Sequence, residues 1–444
     1  MTAAERSVAE LAGAEVLEIG GHPVDEVLAA ARTLMGADNP SGSLENLFAL
    51  HNARLMRGLG FASESGDLEV TVRTRAGDVV RQTLHPMTGS EDATFAWRSR
   101  REMFGPPARS DSEWISASPP AHLSDRKPFS ARPLPSQDAY YARMDLLDDG
   151  FMPFLESIMK EVDAQKPRRL IIDWRYNFGG DGSIVPAIAR EFTKRQGSPP
   201  WRELYILTGR RTFGAGVMAV HALLGQVPLT IVGEPAGSAL NQFGDATTRT
   251  YDRTGLRLHV STLRWQLSAS DDIREFIPVD VAAPFSSSDY MSGRDPAVDP
   301  ILRGDEMRSV PLIALAEGSP LARQTVVERR KEFAALAWWQ PPTEIELREP
   351  CQALRAAKRY ADALDVCGLN AELHPYAWSS WLNLGQSQRA AGRAGSDAGL
   401  LSKGLESYRC VLRVDPGNPE ADDIKSFLAA QDPDGRVAPP PDCP

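Results

Sequence analysis

Leu170-Ile171-Ile172-Asp173-Trp174-Arg175-Tyr176-Asn177-Phe178-Gly179-Gly180 is the stretch on which the fold turns. Three consecutive apolar residues that give way at once to polar residues and a Gly-Gly pair have the form of a short buried strand running out into a loop. The same form recurs twice. Leu204-Tyr205-Ile206-Leu207 leads into Thr208-Gly209-Arg210-Arg211-Thr212-Phe213-Gly214, and Leu229-Thr230-Ile231-Val232 into Gly233-Glu234-Pro235-Ala236-Gly237-Ser238-Ala239-Leu240-Asn241. Helical stretches separate them, over 184–195 and roughly 215–224. Strand, helix, strand, helix, strand predicts a parallel sheet covered on both faces, with right-handed crossovers and with ligands beyond the C-terminal ends of the strands. The three Gly-rich loops then form the floor of one cleft.

The second loop carries the chemistry. A residue at a strand-to-helix junction is held by a sharp turn, and the free N–H groups of the first helical turn make an anion site beside it. An α/β enzyme places a nucleophilic serine there. Here the junction residue is Gly214, which has no oxygen with which to attack a carbonyl. On the neighbouring loop Gly179 and Gly180 let backbone donors approach an oxyanion without obstruction, and the N–H of Ala215 adds another. Thr212 and Ser238 are the hydroxyls at hand as substitute nucleophiles, although Ser and Thr near glycine more often bond the backbone of turns. His221 stands two helical turns beyond Gly214, ~10.5 Å away and out of direct reach. Asn177, Arg211, Glu234, Asn241 and Asp245 are the expected cleft-lining residues.

Asp173-Trp174-Arg175-Tyr176-Asn177-Phe178-Gly179-Gly180 resembles the D-x-R-x-N-x-G-G motif of the tail-specific, or C-terminal-processing, serine peptidases, a family that includes the tricorn protease core. Gly233-Glu234-Pro235 with Asn241-Gln242-Phe243-Gly244-Asp245 is similar to a stretch of its hydrolase-like branch. Pro278-Val279-Asp280, Asp289-Tyr290 and Gly293-Arg294-Asp295-Pro296 resemble its closing elements. The resemblance implies a crotonase-like peptidase core behind a PDZ-like module, acting on peptide or acyl substrates through a backbone oxyanion hole. Two departures bear on activity. The family's serine is Gly214, and its lysine base has no counterpart, since 235–241 contains no lysine. Three readings follow: an impaired or inactive peptidase or hydrolase, a non-catalytic peptide- or ligand-binding protein, and acyl chemistry on a small molecule without an enzyme nucleophile.

Outward from this core the chain divides into an α+β module over 1–90, a Pro/Ser-rich linker over 91–137, the core over 138–310, a helical tail over 311–431 and a disordered end over 432–444. Val24 to Met35 and Leu44 to Leu59 read as helices. Leu68-Glu69-Val70-Thr71-Val72-Arg73 and Val79 to Leu84 read as a hairpin around Gly77-Asp78. In the tail, Trp381-Leu382-Asn383-Leu384-Gly385 fits the start of a tetratricopeptide repeat, with an insert near Gly392 to Gly399 and a protein partner implied.

A net charge of −10 disfavours nucleic acid as a partner. No apolar run approaches the ~20 residues of a membrane span. No metal-ligand cluster or dinucleotide loop appears, so neither metal nor organic cofactor is expected. The cysteines, Cys351, Cys367, Cys410 and Cys443, form no CxxC pair and read as reduced packing thiols. The expected location is the cytoplasm, or outside it if an upstream export signal exists.

Overall fold

A computed structural model of the chain describes residues 3–5, 11, 13–34, 36–45, 50, 52–86, 114–116, 127–251, 256–270 and 272–444. It divides into two units, Met1–Met307 and Arg308–Pro444.

In the first unit β1 (Ala3–Glu5) pairs with a later short strand, and β2 (Glu15–Ile19) and β3 (His22–Pro23) precede α1 (Val24–Arg32), α2 (Pro40–Glu45) and α3 (Ala53–Gly58). The hairpin β4 (Leu68–Arg73) and β5 (Val79–Leu84) completes a four-stranded sheet of order β3-β2-β4-β5. Val27, Met56, Val70 and Val72 fill its core. Within the long helix expected over Leu44 to Leu59, residues 46–49 and 51 lie outside those described. The partner of β1 is β6 (Trp114–Ser116).

Residues 91–113 and 117–126 of the expected linker lie outside the described residues. The end of that stretch is not linker. β7 (Phe129–Leu134) is a strand antiparallel to β8 (Ala139–Met144), and it closes one edge of a six-stranded sheet. Pro133 is tolerated because an edge strand has one side with no ladder to complete.

From β8 the chain runs through α4 (Phe151–Gln165), β9 (Arg169–Asp173), α5 (Val185–Thr193), β10 (Glu203–Thr208), α6 (Ala215–Leu223) and β11 (Thr230–Gly233). The long strands β12 (Asn241–Tyr251) and β13 (Leu256–Gln266) follow, then β14 (Val281–Ala282), α7 (Ser287–Ser292) and α8 (Val298–Arg303). The sheet order is β14-β11-β10-β9-β8-β7, parallel throughout except at β7. The three strands and two helices expected from sequence are all present. Leu170, Ile171, Ile172, Ile206 and Leu207 have no solvent exposure, as continuous apolar runs in a parallel sheet should.

The strands follow each other in order without a switch, so right-handed crossovers place α4, α5 and α6 on one face of the sheet. α4 accordingly packs on α5, and α5 on α6. Near the end of the sheet, the Asp280 carboxylate accepts from the Ile231 N–H at 2.7 Å and fastens the strand that β14 joins.

The second unit is helical: α9 (Val310–Glu317), α10 (Ser319–Glu332), α11 (Glu344–Ala356), α12 (Tyr360–Leu373), α13 (Trp378–Gly395), α14 (Ala398–Val414) and α15 (Ala421–Gln431). Trp381 is buried and donates its indole N–H to the Pro375 carbonyl at 2.8 Å. A Cβ at Gly385 would come within 2.7 Å of the Tyr408 ring, so glycine there permits the close approach of α13 and α14. Both helices run into the stretch near Gly392 to Gly399, leaving a turn at Ser396, which has φ 53°.

The cysteines are not free thiols. Cys351–Cys367 ties α11 to α12, and Cys410–Cys443 ties α14 to the chain end. The second bond corrects the expectation of a disordered end. Cys443 is buried, and the Asp432 carboxylate accepts from the N–H groups of Arg436 and Val437, each at 3.0 Å, and from Arg409. The cysteine spacing concealed this, because the pairs join residues that only the helical packing makes neighbours.

A thiol titration of the native and the unfolded, unreduced chain should find no reactive thiol. Reduction should destabilise the helical unit by about 2–4 kcal/mol per bond. Four reactive thiols without reductant would contradict the pairing.

Candidate functional site

The three loops at the C-terminal ends of β9, β10 and β11 interlock through their backbones. The Phe213 N–H donates to the Asn177 carbonyl at 2.9 Å, and the Gly237 N–H to the Thr212 carbonyl at 2.9 Å. Gly179 packs so closely on the second loop that an added Cβ would stand 2.8 Å from the Phe213 oxygen and 2.9 Å from the Ala215 nitrogen. Gly180, next along the first loop, has its missing Cβ facing the Leu147 carbonyl instead. Of the residues that sequence placed together, the structure brings Gly179 against Gly214 and Ala215, with Gly180 following Gly179 on the first loop.

A buried ion network sets the first loop. The Arg175 guanidinium donates to both Asp173 oxygens, at 3.0 and 2.6 Å, and to both Asp295 oxygens, at 3.0 and 2.9 Å. Burial opposes the charge on Arg175, but the two carboxylates outweigh it and hold its pKa above the ordinary arginine value. Tyr141 donates to Asp173 at 2.6 Å, and burial together with that carboxylate raises the phenol well above its usual range. Asp295 in turn accepts from the N–H groups of Ala297 and Val298, both at 3.0 Å. The D-x-R motif and the distant Asp-Pro element are therefore two halves of one contact.

Gly214 caps α6 with φ 55° and ψ −125°, a left-handed backbone that L side chains rarely adopt. The space around it is open, since an added Cβ would meet nothing nearer than the Phe178 oxygen at 3.8 Å. The Gly214 N–H donates to Ser238 Oγ at 3.0 Å, and its carbonyl accepts from Gln242 Nε2 at 3.1 Å. The turn is held in the form that would present a side chain, and the residue has none.

The expected donors divide. The Gly179 N–H donates to Asn177 Oδ1 at 3.0 Å and is committed. The N–H groups of Gly180 and Ala215 have no hydrogen-bond partner among the described residues. Asn177 is fully buried, and its side-chain amide also donates to the Met144 carbonyl at 2.9 Å, so it shapes the loop rather than lining a cleft.

The substitute hydroxyls are both fully buried and both spent on backbone. Thr212 donates to the Trp174 carbonyl at 2.9 Å and accepts from the Gly209 N–H at 3.0 Å. Ser238 holds the Gly214 amide. Glu234 pairs with Arg210 at 2.7 Å, and Arg211 is buried. Asn241 clasps the end of β13, accepting from the N–H groups of Leu267 and Ser268 at 3.1 and 3.2 Å. Asp245 is spent on the Trp265 indole at 2.6 Å. His221 bonds the Leu267 carbonyl at 2.9 Å, and His85 bonds Asp67 at 2.7 Å. His122 lies outside the described residues.

Sequence reasoning missed the segment 38–42. Asn39 donates to the carbonyls of Ala236 and Glu275 at 3.0 and 2.7 Å, and Ser41 to that of Pro235 at 2.7 Å. A Cβ at Gly42 would fall 2.2 Å from the Gly237 oxygen. Desolvation raises the Asp38 pKa above the usual carboxylate value, opposed by its bond to the Ala239 backbone. The third loop is therefore braced by the N-terminal module. Nothing in the Asn-Pro-Ser-Gly run distinguishes such a brace from an ordinary surface turn.

No protein-family model and no curated protein matches the chain. Solved structures do. Mature CPAF is 14% identical, with 66% of this chain and 78% of that one covered, at a TM-score of 0.36. An S41 protease from Bacteroides fragilis is 10% identical, with 64% and 69% covered, at 0.30. The photosystem II D1 C-terminal processing protease is 15% identical, with 64% and 68% covered, at 0.30.

Two substitutions separate packing from backbone strain. Gly179→Ala should destabilise the first unit strongly in urea denaturation, by about 3 kcal/mol or more, because the Cβ collides with backbone that cannot retreat. Gly214→Ala should cost only the strain of its φ, about 1–3 kcal/mol. Equal effects would contradict the loop packing.

Proposed function

We propose that the protein is a peptide-binding relative of the tail-specific serine peptidases that holds a carboxylate or carbonyl oxygen without cleaving the chain that carries it. The carrying observation is the turn at Gly214. Its backbone turns at a strand-to-helix junction and its neighbours keep two N–H donors with no partner among the described residues, while the residue has no side chain and both nearby hydroxyls are buried on backbone. An oxyanion site without a nucleophile still binds, because the N–H groups and the helix N-terminus favour negative charge. Hydrolysis by this chain would need an oxygen and a base at Gly214, and neither Thr212, Ser238 nor His221 is placed to supply one.

The PDZ-like module is read as a further peptide-contacting part, and the tetratricopeptide-like unit as the docking place of a protein partner. The two disulfides favour an oxidising compartment over the cytoplasm. No helix among the described residues is long and apolar enough to cross a membrane.

Calorimetry with short peptides ending in a free carboxylate should show binding. Ala215→Pro removes one donor at the first helical position, where proline is tolerated. It should weaken binding roughly tenfold or more, the worth of one hydrogen bond to a charged group. A serine-directed fluorophosphonate should leave the chain unlabelled. Labelling, or indifference of binding to Ala215→Pro, would remove the reading.

A further inference from the structure

The helices α11 and α13 correspond at a step of about 34 residues, the tetratricopeptide period. That step carries the buried Leu347 to the buried Trp381, and the buried Cys351 to the buried Gly385. It also carries Gln352 to Gln386 and Arg355 to Arg389. The two helices pack directly, with Gln352 Nε2 donating to Asn383 Oδ1 at 3.0 Å. Arg355 and Arg389 therefore hold equivalent places on neighbouring helices, and each reaches the next helix along. Arg355 lies on α13. Arg389 lies 3.6 Å from the centre of the Phe427 ring of α15, and 5.5 Å from that of Tyr408.

Neither arginine has an acid. Arg355 is half-buried, and its Nη1 donates to the Asn383 carbonyl at 3.2 Å and to Ser387 Oγ at 3.3 Å, both uncharged acceptors. No carboxylate among the described residues pairs with Arg355 or with Arg389. Desolvation holds the Arg355 pKa below the ordinary arginine value, with the Tyr408 phenol opposing it. Arg169, Arg175, Arg195 and Arg409 are also largely out of water, and each is paired with a carboxylate. A charge drawn from water without an opposite charge is costly, and an arriving carboxylate removes that cost.

The surrounding charge has the same sign. α13 carries Arg389 and Arg393 and no acidic residue, and α14 carries Lys403, Arg409 and Arg413 against Glu406 alone. Spacing indicates the form of the ligand. Packed helices stand roughly 8–10 Å apart, and three residues of extended chain span roughly 10 Å. A guanidinium presents a planar fork that matches a carboxylate.

We propose that Arg355 and Arg389 are two rungs of a cationic ladder that docks an extended acidic segment of a partner protein, one carboxylate to each guanidinium, with acids about three residues apart. This deepens the reading of the helical unit as a docking place and rests on it. It is independent of the turn at Gly214.

Fluorescence anisotropy on the full chain tests it. The probe is a labelled peptide, blocked at both ends, with glutamate at every third position. Its glutamine counterpart offers the same carbonyls and no carboxylate. The glutamate peptide should bind about tenfold or more tightly than the glutamine one, and the advantage should shrink as salt is raised. Arg355→Gln and Arg389→Gln should each weaken the glutamate peptide roughly tenfold, the worth of one hydrogen bond to a charged group, and leave the glutamine peptide unmoved. Arg355→Glu should turn the preference towards a lysine counterpart. Melting temperatures report whether the variants fold, and the salt series needs no substitution. Equal binding of the two peptides at low salt, or indifference to both arginine substitutions, overturns the ladder and leaves the unit a docking place of other chemistry. Failure of both peptides to bind at millimolar concentration removes the ladder and the peptide-docking reading together.

Discussion

A guanidinium held almost out of water is the contact on which the site depends. Arg175 sits between Asp173 and Asp295 with four hydrogen bonds to their oxygens, and its own loop carries Asn177, Gly179 and Gly180. Losing one carboxylate would leave a buried charge uncompensated, at a cost of about 3–5 kcal/mol. The arrangement fixes where the first loop leaves β9. From there the glycines permit what the ion network requires, two loops meeting at backbone contact distance. Ser238 and Gln242 then hold Gly214 from the third loop and from β12.

That hierarchy explains what the amino-acid sequence made legible. The parallel sheet was readable because Leu170 to Ile172, Leu204 to Leu207 and Leu229 to Val232 are buried on both faces, and double burial leaves an unbroken apolar run. The meeting of the three loops was readable because loops that follow parallel strands must emerge at one end. Strand order was not, since a βαβ pattern is the same whether the order switches or runs straight on. Thus the one-sided placement of α4, α5 and α6 appears only in the fold.

The site residues divided along similar lines. Glycines with a positional requirement announced themselves: Gly179, Gly180 and Gly214 all have positive φ. Side chains whose role is to hold backbone did not. Thr212 and Ser238 were the hydroxyls at hand beside the turn, and each is spent on a backbone group, the commoner role of Ser and Thr near glycine. The brace at Asn39 and Ser41 was invisible, since it joins residues nearly two hundred positions apart through carbonyls that carry no sequence signal. The disulfides were hidden for the same reason: Cys410 and Cys443 are neighbours only once the chain end has folded back.

What remains at the centre is a pair of main-chain donors around a residue with no side chain. Selective ¹⁵N labelling of glycine and alanine, followed by titration with a carboxylate-terminated peptide, observes those donors directly. The account predicts downfield shifts of the Gly180 and Ala215 amides, larger than that of Gly179, whose N–H already has Asn177 as its acceptor. Saturable binding that leaves both amides unmoved would contradict it.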